Sequence, residues 1–395
     1  MTGAPLTSSF SQEYPVIPSS DGSASLLATR IAFFVAGFGL AAWAPLVPLA
    51  KERLAADDRM LGLLLLCLGA GSVVAMLLTS VSNARYGSKP MILAGGLGLA
   101  LILPLLTVAN TFIGLGTVLF AFGASVGSID VAMNIHAIEV ERATGRPLMS
   151  GFHARYSIGE FAGSAAMTAF LSLRLDPFAS TLVCSALMML AIVSAWPRLL
   201  ATGRTQRGPW FFSLHRSVLL VAALAAITFL VEGAMLDWSA LLLIGRGLLA
   251  EAHGGLGFIL FSIAMTVGRL GGDAAVARFG DRALIMFGTL PIVTGFVAVV
   301  AAPVAVIAMM GFPLIGLGIS NIVPVLCRSA GKQKMMPVGL AIAVITTAGY
   351  AGILVGPASV GVIAHMVGLP LAFGMLGALM CLVTLSARKV MADYR

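Results

Sequence analysis

The sequence predicts an all-α membrane protein: twelve transmembrane helices in two pseudo-symmetric six-helix halves, with both termini cytoplasmic. Three observations carry this. Of 395 residues, 59% are hydrophobic and only 10% charged, with a mean hydropathy of +1.02, whereas a soluble domain is about a quarter charged. Twelve apolar stretches lie along the chain, each near the ~20 residues that cross a bilayer. Short motifs also recur in the same order at offsets of 190 to 193 residues, the trace that a duplicated six-helix unit leaves.

In order, residues 1–26 are polar and rich in Ser and Pro, with no basic leading region. They read as a disordered cytoplasmic tail rather than a cleaved signal. The apolar segments follow at 27–50, 60–82, 90–108, 112–138, 149–172, 178–197, 216–243, 254–277, 283–302, 304–328, 337–364 and 370–388. The N-terminal half is 27–197, the basic central loop 198–215, the C-terminal half 216–388 and the last tail 389–395. Trp43, Trp196, Trp210 and Trp238 fall near segment ends, as interfacial aromatics do. Pro45, Pro104, Pro313 and Pro324 sit inside segments, where neighbouring helices tolerate kinks.

The net charge of +8 does not point to nucleic acid, because the basic residues form no run. They obey the positive-inside pattern instead. Loops on the side of the termini, with the tail, hold 16 Lys and Arg; the opposite loops hold five, Lys51, Arg53, Arg59, Arg174 and Arg246. Cys67, Cys184, Cys327 and Cys381 stand singly in apolar segments, without metal or redox spacing. Neither a phosphate-loop lysine motif nor a metal-spaced His/Cys/Glu cluster occurs, so no cofactor, no metal and no enzyme chemistry is expected.

The repeats are concrete. Ala84-Arg85-Tyr86-Gly87 matches Ala277-Arg278-Phe279-Gly280 at offset 193. Gly127 and Asp130 match Gly318 and Asn321 at 191, and Pro147 and Gly159 match Pro337 and Gly349 at 190. The first motif continues to Lys89 in one half and to Arg282 in the other. Two such halves with a basic turn after the second segment of each resemble the major facilitator superfamily. The strings 34–54, 61–76, 130–141 and 150–163 resemble, within it, the subgroup of the inner-membrane protein YbjJ and the rhizopine-locus membrane protein MosC. The resemblance implies a multi-pass secondary transporter of the bacterial inner membrane. One departure stands out: Ala84 and Ala277 occupy the positions of the motif aspartate. That puts in question the latch which this aspartate makes with the eleventh helix.

The stretch Gly127–Glu160 concentrates polar residues. At 1.5 Å per residue, Asp130 lies roughly 16 Å from the turn that begins near Glu141, about halfway through a ~30 Å core. Asn134 follows on the same face. Asp130 is read as a substrate or proton site, or else as a packing hydrogen bond. Glu160 is equally deep in the next segment, and His153, Tyr156 and Glu160 share one helical face. Glu232 lies at mid-depth in the seventh segment, which flanks the cavity in the resembled family. A buried carboxyl there can carry a proton. Asn321 keeps a polar group opposite Asp130. Arg30, Asp237, Trp238, Arg269 and Asp273 form a second tier with gating or local roles, Arg30 as a flank charge and Arg269 with Asp273 as a local i, i+4 ion pair.

The expectation is therefore alternating access for a small polar solute, such as a sugar-like or amine-bearing compound, coupled to protons. Efflux of amphipathic compounds is the alternative transport reading, and a non-transporting receptor a remoter one. The partners implied are the solute, protons and the lipid bilayer, with the chain acting as a monomer and binding no nucleic acid.

Overall fold

The computed structural model describes residues 19–56, 58–201, 216–249, 256–333 and 336–392. Residues 1–18, 202–215 and 393–395, which make up most of the expected tails and central loop, lie outside the described residues. Every regular element among the described residues is helical. The first part holds α1 (Ser19–Trp43), α2 (Val47–Arg53), α3 (Asp58–Tyr86), α4 (Ser88–Ile102), α5 (Leu105–Val108), α6 (Phe112–Thr144), α7 (Met149–Ser172) and α8 (Pro177–Ala195). The second holds α9 (Arg216–Gly245), α10 (Leu256–Ala301), α11 (Ala305–Ile319), α12 (Ile322–Lys332), α13 (Val338–Val367) and α14 (Leu369–Ala392).

Nine stretches among the described residues are long and apolar enough to cross a membrane. Helix α7 is not one of them, since His153, Arg155, Glu160 and its Ser and Gly residues dilute its apolar content. Breaks occur where the sequence removes a donor or supplies a glycine. A 3-10 turn, Ala44–Leu46, with Pro45 in its first turn separates α1 from α2, as expected of a residue without an N–H. Helix α10 runs through two expected segments, 254–277 and 283–302, but Gly280 inside it has φ 80° and ψ 161°. That backbone region is essentially open to glycine alone. The expected segment 304–328 is likewise two helices, α11 and α12, parted at Ser320 and Asn321.

Helix ends are capped by local chemistry. Thr111 Oγ1 accepts from Gly114 N–H at 3.0 Å ahead of α6, and Gly145 closes that helix with φ 65°. Asp176 Oδ1 accepts from Ala179 N–H at 2.9 Å, with Pro177 opening α8. Such caps satisfy the backbone groups that a helix leaves unpaired at its ends.

Helices meet through small residues, as membrane helices do. A Cβ on Gly159 of α7 would collide with the Phe34 carbonyl oxygen of α1, and one on Gly127 of α6 with the Ser72 carbonyl oxygen of α3. Phe33, Phe122, Phe152, Phe261, Phe312 and Phe373 fill the interior. Large apolar side chains such as Leu66, Leu78, Leu190 and Phe161 face outward, as lipid-facing surface would. The two parts of the chain meet where α3 packs on α13 and α7 on α10.

The repeated motifs also fold alike. Gly87 has φ 84° and ψ 170°, close to the values at Gly280. The guanidinium of Arg85 lies 5.1 Å from the Tyr86 ring centroid, and that of Arg278 lies 5.4 Å from Phe279. A further pair was hidden among loop charges. Arg53 forks onto the carbonyls of Thr107 and Leu106, both at 2.7 Å. Arg246, at offset 193, forks onto the carbonyls of Val299 and Ala302, both at 2.7 Å. Each cation satisfies carbonyls at the end of a helix, where the dipole favours positive charge.

Candidate functional site

The bundle encloses a polar centre. Its residues come from α6 (Asp130, Asn134), α7 (His153, Tyr156, Ser157, Glu160), α9 (Glu232), α10 (Arg269), the α11–α12 break (Ser320, Asn321) and α13 (Tyr350). Asp130, Glu160, Glu232 and Arg269 each lie more than ten residues from both ends of their helix, with Gly280 taken as an end for Arg269, over 15 Å at ~1.5 Å per residue.

Arg269 organises this centre. Its Nη1 donates to Ser157 Oγ at 2.6 Å and its Nε to the Ser320 carbonyl at 3.2 Å. Its Nη2 lies 3.7 Å from Glu232 Oε1, with side-chain exposures of only 6% and 16%. The planar fork of arginine suits this three-way contact. Glu160 lies within electrostatic range of both Arg269 and Glu232. The sequence reading of Arg269 and Asp273 as a local ion pair is therefore corrected. Although four residues apart on α10, the two carry separate tertiary contacts, because better partners arrive from α7, α9 and α12.

Asp130 sits apart from the guanidinium. Asn134 Nδ2 donates to the Asp130 carbonyl at 2.9 Å and approaches its carboxylate at 3.4 Å. Tyr350 meets Tyr156 across the centre. Asn321 does not sit inside a continuous helix as the repeat suggested. It lies at the break with φ −107° and ψ 3°, donating to the Gly268 carbonyl at 3.0 Å and to Ser320 Oγ at 2.9 Å. Four buried atoms here, Asn134 Oδ1, His153 Nε2, Glu232 Oε1 and Asn321 Oδ1, have no hydrogen-bond partner in the protein. Buried polar groups are rarely left so. The His153 ring rests edge-on against Phe33 with centroids 5.4 Å apart.

The second-tier residues scatter. Arg30 is half-buried, within electrostatic range of Arg155 and Asp273. Asp237 is exposed. Trp238 packs over Gly361 of α13, where an added Cβ would lie 3.0 Å from its ring. Lys89 lies 5.0 Å from the Trp196 ring centroid, Arg282 is exposed, and Ala277 borders a cavity of about 460 Å³ beside Glu141 and Arg328.

One end of the bundle is drawn shut by ions that the sequence reading took for loop charges. Arg328 contacts both oxygens of Glu141 at 2.5 and 3.1 Å, Asp281 at 2.6 Å and Asp273 at 3.7 Å. Lys332 adds a 2.7 Å contact to Asp281. The roles of Arg328, Ser157 and Tyr350 are what the sequence alone did not show. Ser157 had a signal, since it lies on the His153–Glu160 face of α7. His136, buried, accepts from Leu200 N–H at 2.9 Å and meets Thr29 Oγ1 at 3.0 Å, a local clamp. No group of His, Cys, Asp and Glu among the described residues is arranged to hold a metal.

A bundle of apolar helices around a buried polar centre is the build of a multi-pass membrane transport protein, and known proteins agree. An uncharacterized MFS-type transporter of Yersinia pestis is 44% identical over 370 residues, 93% of this chain and 96% of the relative. An uncharacterized transporter of Sinorhizobium fredii is 31% identical, covering 90% and 95%, and the membrane protein MosC of Rhizobium meliloti is 30% identical, covering 87% and 85%. No family model matches the chain. Among solved structures, the Escherichia coli fucose:proton symporter FucP superposes with a TM-score of 0.76 at 13% identity, covering 93% of this chain and 98% of that one. The human organic anion transporter MFSD10 superposes at 0.75 and 14% identity, covering 93% and 99%. The chain belongs to the major facilitator superfamily.

Proposed function

We propose that the protein carries a small polar solute across the bacterial inner membrane by alternating access, coupled to protons. The observation that bears most weight is the mid-depth charge set. Arg269 lies 3.7 Å from Glu232, with Glu160 in electrostatic range and Asp130 on α6. Charges at this depth are costly in a membrane and mark ion or substrate pathways. A proton can release a carboxylate from the arginine, and a solute with hydroxyl or amine groups can partner the unsatisfied Asn134, His153, Glu232 and Asn321 atoms.

In this reading twelve crossings form two six-helix halves, 27–197 and 216–388, each rocking as a unit. Nine apolar stretches become twelve when α10 counts as two crossings at Gly280 and α7 and α14 as one each. The termini are cytoplasmic, since the end carrying Arg85, Arg142, Arg278 and Arg328 is the more basic. The chain works as a monomer in the bilayer without a cofactor.

The test is flux in reconstituted vesicles under an imposed pH gradient, screened over sugars, polyols and amines. Wild type is expected to respond. D130N, E160Q and E232Q are each expected to lose the response. Retained pH-driven transport in all three variants overturns proton coupling through these residues.

A further inference from the structure

The N-terminus of α7 is held by two carboxylates that reach it from different halves of the chain. A helix leaves its first backbone N–H groups without intrahelical partners. Leu148 and Met149 N–H donate to Glu141 Oε2 at 2.7 and 3.0 Å. Ser150 and Gly151 N–H donate to Asp273 Oδ1 and Oδ2 at 2.9 and 2.8 Å. Four donors in a row are thus satisfied, two by each acid, at the positive end of the helix dipole. Arg328 joins the two acids, bonded to Glu141 and 3.7 Å from Asp273. Gly272 allows this approach, since a Cβ there would lie 2.6 Å from Ser150 Cβ.

The two acids are not equivalent. Glu141 belongs to α6, the helix just before α7, and travels with it. Asp273 and Arg328 belong to α10 and α12. If the two parts of the chain separate at this end, Glu141 keeps its two N–H groups, while Asp273 and Arg328 leave together. The end is then held shut by contacts that all break in one step. Asp273 lies one helical turn before Ala277, the position where the motif aspartate is missing.

We propose that Asp273 is the gating residue of the basic end, gripping the α7 N-terminus in place of the aspartate that both motif copies lack. This rests on the alternating-access reading above. It adds which conformer Asp273 favours and through which atoms. Charge-assisted bonds in such poorly hydrated surroundings are stronger than neutral ones, so losing the grip shifts the population toward the conformer open at that end.

The experiment uses the full chain with its four cysteines replaced and spin labels on R146C and R278C, both exposed positions flanking the closed end. Distances are measured by pulsed electron resonance without solute or pH gradient, so a failure of proton coupling leaves the readout intact. D273N is expected to raise the ratio of the long to the short distance by about tenfold, the effect of losing one charged hydrogen bond, and D273E to restore most of the short one. A merely structural role lowers the melting temperature without changing this ratio. If D273N cannot be recovered folded, R328K supplies the second reading and must lengthen the distance too. An unchanged distance distribution in whichever of these variants is recovered folded overturns the proposal.

Discussion

Arg269 and Ser157, 112 residues apart, share a 2.6 Å hydrogen bond at the centre of the bundle. The bond ties α10 to α7, helices from opposite parts of the chain, at the depth where Glu160 and Glu232 also lie. A guanidinium that serves Ser157, the Ser320 carbonyl and Glu232 at once is both a strut and a charge partner, and the two roles are separable by mutation.

R269M leaves Glu232 buried without its cation. Removing one partner of a buried pair costs about 3 kcal/mol or more. The expected outcome is a marked loss of stability in denaturant titration, largely recovered in R269M/E232Q. Equal stability of R269M and wild type would show that the 3.7 Å pair carries no energy.

Arg53 and Arg246 are expected to behave as twins. Each forks onto two carbonyls at 2.7 Å, and a hydrogen bond from a charged group contributes about 1.5–3 kcal/mol. R53A and R246A should therefore destabilise by similar amounts, and by more than the corresponding lysine substitutions. A large effect in one and none in the other would break the structural equivalence.

Gly159 faces the Phe34 carbonyl with no room for a methyl. G159A forces α7 away from α1, and overpacking of this kind costs about 1–3 kcal/mol. Because α7 carries Tyr156 and Glu160, transport is expected to fall by more than the amount of folded protein does. The check is flux normalised to protein recovered in the membrane. G145A, at the helix end with open space around it, strains only φ and should affect stability alone.

Much of this was legible in the sequence. Length and hydropathy placed the helices, though α10 runs through two expected segments, and the repeated motif marked Gly87 and Gly280 without showing that their backbone needs glycine. Depth arithmetic expects Asp130, Glu160 and Glu232 at one level, and in the structure Glu160 and Glu232 lie near Arg269 while Asp130 sits apart beside Asn134. What failed to show was pairing. Arg269 and Asp273, four apart on one helix, look like partners until α7 and α9 are packed against them. Arg328 looked like a topology signal because its three acids, Glu141, Asp273 and Asp281, lie 47 to 187 residues away. The break at Asn321 had a local signal in Pro324, which has no N–H to offer the Ser320 carbonyl four residues earlier, a carbonyl that accepts from Arg269 instead. Local pattern reports depth and periodicity, but which charges meet is decided by tertiary packing.

The most direct test of the transport reading is two-sided access to the centre. In the cysteine-replaced protein, N134C places one thiol beside Asp130. In oriented membrane vesicles, alternating access predicts that a membrane-impermeant thiol reagent modifies it from either face, and that the solute which drives flux slows both reactions. Modification from one face only, under every condition in which flux is observed, would contradict it.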